Sequence, residues 1–396
     1  MPSSPDPAVD TAARALDASD VGAIRELRDA LERASFAELI HLLRPAGEQD
    51  LPWPDFTNLS RQLDGLAPER AGVVRLFGLG ETVPTREVER WLPARLLAAL
   101  EAAGLLRFAR AGEVSTAGLC VVPFAGLYVL ANPPPSFPTA WRRQQDVCLD
   151  RDSVFVARQL APRRVARTLE VCSGSGLLAL TAARWSDAVV GCELSETAIA
   201  AARFSAVLSG LEDKVEFRPS DLCAAADGEF DLILANPPYA PVPPGSCDTF
   251  LSGDGGRDGL ALVRRLVLEL PARLAEGGRA MIIAGALEGA SGLLAADELR
   301  ALFAGAGLSG HLFVIDRKRA EDHIAQMRPF VDRAQHYEDA LARYCQEVGA
   351  THYVGFYLVL ERRPGAAPLE IVSPLATRSE LVRALRQRRQ AREARC

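Results

Sequence analysis

With 396 residues the chain is long enough for two domains, or for one domain with additions, and for a large buried core. Its 48% hydrophobic and 24% charged residues are ordinary for a soluble globular protein, and no apolar run reaches the length of a membrane-spanning helix. A net charge of −6 argues against a tight, sequence-independent hold on nucleic-acid phosphates, although it leaves room for a local basic patch.

The N-terminal run MPSSPDPAVDTAARALD has no basic stretch followed by an apolar one, so no secretory signal is expected. Eight cysteines, at 120, 148, 172, 192, 223, 247, 345 and 396, form no C-x-x-C pair, and no histidine cluster accompanies them. The expectation is therefore no structural metal, no disulfide framework and a cytoplasmic location. Lys214 and Lys318 are the only lysines; such reliance on arginine, with much alanine, reads as coding from a GC-rich bacterial genome.

Residues 1–140 read as a helix-rich unit without a catalytic motif. Apolar spacing of three to four residues predicts helices over 20–45, 68–78, 85–90 and 93–104, then a short strand pair near 106–109 and 118–130. The order helix, PTREVERW, LPARLLAALEAAGLL, strand, strand resembles a winged-helix unit. The segment that would read a nucleic acid lacks a Lys/Arg stripe, so the expected role is a cap over a cofactor domain. The stretch NPPPSFP at 132–138 reads as a proline-rich boundary.

From about 165 the pattern changes to strand–helix alternation. Strands are expected at 168–172, 188–194, 215–219, 231–236, 279–286, 310–316 and 353–362, with helices at 176–185, 196–209, 258–275 and 292–305. Near-continuous apolar strands alternating with helices mean an α/β fold whose parallel sheet is covered on both faces. A helical insert over 318–348 separates the last two strands, and the chain closes on an Arg-rich run, RSELVRALRQRRQAREARC. The domain expectation is a cap over 1–140, a catalytic domain over 141–370 and a helix or tail over 371–396. Oligomeric state is left open, a homodimer included.

Four signals fall at successive strand ends. The run Glu170-Val-Cys172-Ser-Gly174-Ser-Gly176 is a glycine-rich turn into a helix, where a ligand can approach the backbone and meet unpaired N–H groups. Glu193 ends the next strand, where a carboxylate can accept both hydroxyls of a ribose. Asp221, beside Leu222, follows the third strand and can accept from an adenine amino group. Asn236-Pro237-Pro238-Tyr239 ends the fourth. Its prolines fix φ and remove two N–H donors, so the Asn carboxamide and the Pro237 carbonyl can accept from a planar NH₂ group while Tyr239 stacks on it.

At these residues the segment 150–286 resembles the class I S-adenosylmethionine-dependent methyltransferases, in particular the HemK-like group that methylates glutamine amides of release factors. Through Asn-Pro-Pro-Tyr it is also similar to DNA adenine N-methyltransferases. The likeness extends to Gly255-Gly-Arg-Asp-Gly-Leu260, to Leu274-Ala-Glu-Gly-Gly278 and, loosely, to Asp150-Arg-Asp152-Ser153, which sits where the group carries an element bordering the cofactor. The resemblance implies a Rossmann-like fold with a seven-stranded sheet, its last strand antiparallel, and S-adenosylmethionine as cofactor. It implies that Glu170, Cys172, Gly174 and Gly176 line the methionine end. Glu193, with Leu194, takes the ribose, and Asp221 and Leu222 border the adenine. Asp152 and Ser153 border the cofactor, and Asn236 to Tyr239 hold the substrate. Cys172 stands where the first loop glycine is usual, and the insert has no counterpart in the release-factor enzymes.

Three acceptor classes fit a planar nitrogen: a small molecule, a protein glutamine, and an exocyclic amine of DNA or RNA. Acidic charge, few aromatics and the helical cap favour an enclosed small-molecule pocket. For a guanidinium acceptor, Glu288, Asp254 and Asp316 are the candidate acidic partners.

Overall fold

The computed structural model describes residues 16–44, 53, 63, 65–109, 111–116, 118–133, 147–160, 163–247, 252–363 and 369–372. The first fifteen residues, most of the proline-rich boundary and the Arg-rich C-terminal run after residue 372 lie outside these.

The N-terminal unit opens with α1 (Val21–Arg33), capped by Asp20, whose side chain accepts from the Ala23 N–H at 2.9 Å. Its buried stripe is Ile24, Leu27 and Leu31. The single helix expected over 20–45 is broken at Ser35, which takes a left-handed conformation (φ 54°) before α2 (Phe36–Leu42). There follow α3 (Pro68–Val73) with a π-helical turn at Val74–Gly78, then β1 (Val83–Pro84), α4 (Thr85–Val88), α5 (Ala94–Ala102), β2 (Arg107–Ala109) and β3 (Glu113–Ser115). The small sheet has the order β1–β3–β2, antiparallel throughout, which with α4 and α5 between β1 and β2 is winged-helix connectivity.

The strand pair expected near 106–130 is in fact two hairpins. The second joins β4 (Cys120–Phe124) to β5 (Leu127–Ala131) through Ala125-Gly126, both at positive φ as a two-residue hairpin turn requires. It leads to α6 (Arg151–Gln159), β6 (Val165–Val171), α7 (Leu177–Ala182), β7 (Ser186–Glu193) and α8 (Glu196–Ser209). The free edge of β5 is satisfied by α8. Ser209 Oγ accepts from the Tyr128 N–H at 3.0 Å and Ser205 Oγ from the Leu130 N–H at 2.8 Å. One apolar core runs from α1 through this hairpin to α7 and α8, so the N-terminal unit is packed onto the catalytic domain rather than tethered beside it. Asn132, in the Asn-Pro-Pro of the boundary, is buried; its amide donates to the Gly118 carbonyl and accepts from the Val147 N–H, a structural clamp.

The remaining elements are β8 (Val215–Pro219), β9 (Phe230–Ala235), α9 (Ala261–Arg273), β10 (Leu274–Gly289), β11 (Gly292–Leu293), α10 (Ala296–Gly305), β12 (Leu308–Arg319), α11 (Ala320–Met327), α12 (Ala334–Val348), β13 (His352–Arg362) and β14 (Glu370–Val372). The large sheet runs β14–β12–β13–β10–β9–β6–β7–β8, with β11 folded back on β10. Strands β6 to β10 are parallel, and β13 is antiparallel to both β10 and β12. This is the seven-stranded Rossmann-like sheet with one reversed strand, extended at its edge by β14. Strand order reverses between β6 and β9, and in such sheets ligands bind outside the carboxyl ends of the strands at that point.

Candidate functional site

Register brings the four strand-end signals together. Val171 lies opposite Ala235 and Cys192, and Glu193 opposite Pro219. The glycine-rich turn, Glu193, the Ser220–Leu222 turn and Asn236 therefore emerge side by side at the carboxyl edge.

The turn after β6 is tight and strained. Cys172 holds φ 57°, unusual for a residue with a side chain, and Gly176 holds φ 77° as the residue capping α7. At Gly176 a Cβ would come within 2.6 Å of the Phe217 ring, so conformation and space both demand glycine there. Burial pushes the Cys172 thiol up, against a nucleophilic role. Ser173 Oγ is buried with no hydrogen-bond partner. Glu193 grips the turn from the next strand: Oε2 accepts from the Gly174 N–H at 2.8 Å, and Oε1 from the Leu194 and Ser195 N–H groups at 2.7 and 2.9 Å. Beside it Leu194 is 58% exposed, an apolar side chain open at the cleft.

Glu170 departs from expectation. It is 2% exposed, and its carboxylate accepts from the Ala179 N–H at 2.8 Å inside the first turn of α7. Burial raises its pKa to about 8, partly offset by the Ala179 and Leu178 N–H groups. The role implied by resemblance, lining the methionine end directly, is revised: Glu170 holds the helix and turn from beneath. Leu222 likewise turns its side chain into the core at φ 48°, while Asp221 stays exposed and pairs with Arg265 at 2.8 Å.

The Asn236–Tyr239 segment is tied to the start of α6. Asp150 caps that helix, its side chain accepting from the Ser153 N–H at 2.7 Å. Asn236 Nδ2 donates to Ser153 Oγ at 2.8 Å and reaches Asp150 Oδ1 at 3.4 Å, which leaves the carboxamide oxygen as the group free to serve a ligand. Tyr239 donates its hydroxyl to Asp152. Burial and the Asp152 and Asp150 carboxylates raise the Tyr239 hydroxyl. Asp152 and Ser153, read from the sequence as cofactor neighbours, are thus direct partners of the Asn-Pro-Pro-Tyr motif.

The Gly255–Leu260 run clasps the same motif from the other side. A Cβ at Gly255 would lie 2.6 Å from Tyr239 Cα, and one at Gly259 would lie 2.5 Å from the Tyr239 carbonyl oxygen. Asp258 then accepts from the Leu260 N–H at 3.1 Å and pairs with Arg264 at 2.6 Å, fixing the start of α9.

The insert packs against this edge. Ile324, Tyr337 and Leu341 from α11 and α12 share a core with Val242 and Leu287, and Tyr239 packs against it. Tyr337 donates to the Pro241 carbonyl at 2.9 Å. The three acids considered for a guanidinium are engaged within the chain: Glu288 with Arg317, Asp316 with Lys318 at 3.1 Å, and Asp254 with the Gly256 N–H at 2.8 Å. On α5, Arg95 pairs with Glu26, and no basic stripe forms.

Sequence reasoning passed over two residues of the neighbourhood and gave Asp150 no role of its own beyond its place in the Asp150–Ser153 run, where it has the spacing of an N-cap, Asp-x-x-Ser. Tyr353 and His323 lie far off in sequence and are discussed below. His323 is buried, and burial, with Lys318 acting in the same direction, holds its pKa down at about 3. The unfolded chain, with a histidine near about 6.5, takes up the proton first as pH falls. This stability is whole above about pH 6.5 and is lost as pH falls toward 3, by up to about 1.4 kcal/mol per pH unit. Urea unfolding between pH 7 and pH 4 should show a shallower pH dependence for His323→Phe than for the wild type. Equal slopes would contradict a buried neutral imidazole.

Residues 146–303 match the family model of the methyltransferase small domain. Three relatives bracket the chain's affinities. A proposed protein N5-glutamine methyltransferase of Methanocaldococcus jannaschii is 32% identical over 142 residues, 35% of this chain and 71% of that protein. The release factor glutamine methyltransferase of Bradyrhizobium diazoefficiens is 34% identical over 205 residues, 48% of this chain and 68% of the relative. The ribosomal protein uL3 glutamine methyltransferase of the same organism is 38% identical over 128 residues, 30% of this chain and 40% of the relative.

Proposed function

The chain belongs to the HemK-like group of class I S-adenosylmethionine-dependent methyltransferases, and from that premise we propose that it methylates the side-chain amide nitrogen of a glutamine in a protein. The observation that supports this reading is the meeting of two turns at the sheet's switch point. The glycine-rich turn after β6 and Asn236–Tyr239 after β9 stand on neighbouring strands in the register Val171 to Ala235. The relatives' names point to glutamine in proteins, which displaces the small-molecule acceptor favoured by composition.

The residues fit the cofactor. Three of the roughly four lone-pair sites of the Glu193 carboxylate are taken by the Gly174, Leu194 and Ser195 N–H groups, so Oε2 can accept one ribose hydroxyl as the turn stands. Asp221 is an exposed acceptor for an adenine amino group, and Leu194 an apolar surface for the purine. Gly174, Gly176 and Cys172 let the backbone come close, and the unpartnered Ser173 hydroxyl lies within the same turn. Bound there, S-adenosylmethionine supplies a methyl group already activated by its sulfonium.

What the protein adds is position. The Asn236 carboxamide oxygen takes one amide hydrogen of the substrate and the Pro237 carbonyl the other. Both bonds draw the nitrogen lone pair out of conjugation and turn it toward the methyl group. The Tyr239 ring covers the flat amide. Asp150, Asp152 and Ser153 hold Asn236 and Tyr239 in place, so α6 is the support of the acceptor site. The insert flanks this edge as a substrate-facing element.

A radiolabelled methyl-transfer assay tests the reading. Enzyme and labelled S-adenosylmethionine are offered release factor, uL3, free glutamine and arginine, and DNA in separate reactions. Label in release factor or uL3, recovered as N5-methylglutamine, is the expected result. Label confined to a free amino acid or to DNA overturns it.

A further inference from the structure

We propose that Tyr353 is a positioning residue for the Asn236–Tyr239 turn, and that the helical insert governs it through the His323 ring stacked against it. The proposal rests on the reading of that turn as the acceptor site.

Tyr353 stands at the start of β13 and is 4% exposed. Its hydroxyl donates to the Tyr239 carbonyl at 3.2 Å. Space for this is built into the neighbouring strand. A Cβ on Gly285 of β10 would lie 1.9 Å from the Tyr353 hydroxyl oxygen and 2.4 Å from Cζ, so any larger residue would expel the ring. The Tyr239 carbonyl is therefore approached by β13 from one direction and by Gly259 from another.

Tyr239 is held at both ends. Its hydroxyl is bound to Asp152 of α6, and its carbonyl to Tyr353. The first anchor sets the ring, the second sets the peptide after it. Two fixed ends leave the Pro237–Tyr239 backbone little freedom to rotate, and the Pro237 carbonyl is one of the two acceptors proposed for the substrate amide.

The second anchor is itself supported by the insert. The His323 ring of α11 lies on the Tyr353 ring with centroids 3.6 Å apart and planes inclined by 8°. His323 Nε2 is buried without a hydrogen-bond partner, so the imidazole serves here as a flat packing surface. α11 also shares the core that contains Tyr353, Val242 and Leu287. A shift of the insert would thus be passed through one stacked pair and one hydrogen bond to the acceptor turn. This gives the insert a function toward the reaction without direct contact to the cofactor.

The test uses the full chain labelled with 3-fluorotyrosine. Its six tyrosines give few enough ¹⁹F resonances to resolve, and the loss of one in Tyr239→Phe assigns the Tyr239 signal. Tyr353→Phe and His323→Ala are expected to shift or broaden that signal. They should also lower kcat with release factor about tenfold, while KM for S-adenosylmethionine stays the same. His323→Phe, which keeps a flat ring, should restore both. An unchanged Tyr239 signal in Tyr353→Phe overturns the proposal, and this variant, which removes a single oxygen, decides the matter even if His323→Ala fails to fold. The fluorine spectra need no turnover, so an inactive wild-type enzyme would count against the substrate reading alone.

Discussion

Asn236→Ala should lower kcat by about 100-fold or more while leaving S-adenosylmethionine affinity within about threefold of wild type, a loss of roughly 2.7 kcal/mol of transition-state stabilisation. Asn236 Nδ2 is committed to Ser153 and Asp150, so the side chain is held in one orientation before any substrate arrives. Removing it takes away the oxygen that would accept from the substrate amide and also the link to α6. The glycine-rich turn and Glu193 stand on other strands and keep their own bonds. Single-turnover kinetics with saturating cofactor, beside calorimetric titration of the cofactor, separate the two effects. A variant that binds cofactor poorly but turns over normally at saturation would reverse the roles assigned to Asn236 and Glu193. Ser153→Ala should give a milder version of the same defect, because it removes the orienting partner and leaves the carboxamide.

Glu193→Ala should weaken S-adenosylmethionine binding by about 10- to 100-fold, from the loss of one hydrogen bond to a charged acceptor at roughly 1.5–3 kcal/mol. Part of the effect comes through the turn, since Gly174, Leu194 and Ser195 each lose the acceptor for an N–H. Glu193→Gln keeps one acceptor oxygen and should fall between the two. Calorimetry measures both, and kcat at saturating cofactor should remain close to wild type. Unchanged affinity in Glu193→Ala would remove this carboxylate from the cofactor site and leave it as a clamp on the turn.

Asn236 to Tyr239 are braced by α6, by the Gly255–Leu260 run and by the strand that bears Tyr353. The bracing residues lie in three separate stretches of sequence. Their convergence fixes the motif at the Asn236 amide nitrogen, the Tyr239 hydroxyl and the Tyr239 carbonyl, and leaves the Asn236 carboxamide oxygen for a ligand.

Sequence alone determined the class of chemistry, methyl transfer from S-adenosylmethionine, but not the acceptor. Local rules suffice for it: glycines where a strand turns sharply into a helix, an acid at the next strand end, two prolines after an asparagine. The strand and helix order also follows from periodicity, and β8 and α8 fall where the pattern put them: buried Val215 and Phe217 alternate with exposed Glu216 in the strand, and the helix carries a long buried apolar run. Tertiary structure decided what depends on packing between distant segments. It turned Glu170 beneath α7, joined Asp152 to Tyr239, and set the N-terminal hairpin against Ser205 and Ser209 of α8. It also laid the insert beside the acceptor turn through His323 and Tyr353. A carboxylate at a strand end reads the same in sequence whether it faces a cleft or a helix N-terminus. Only the packing of α7 over β6, which brings the Ala179 N–H to Glu170, and the partial exposure of Glu193 beside the neighbouring turn select between them.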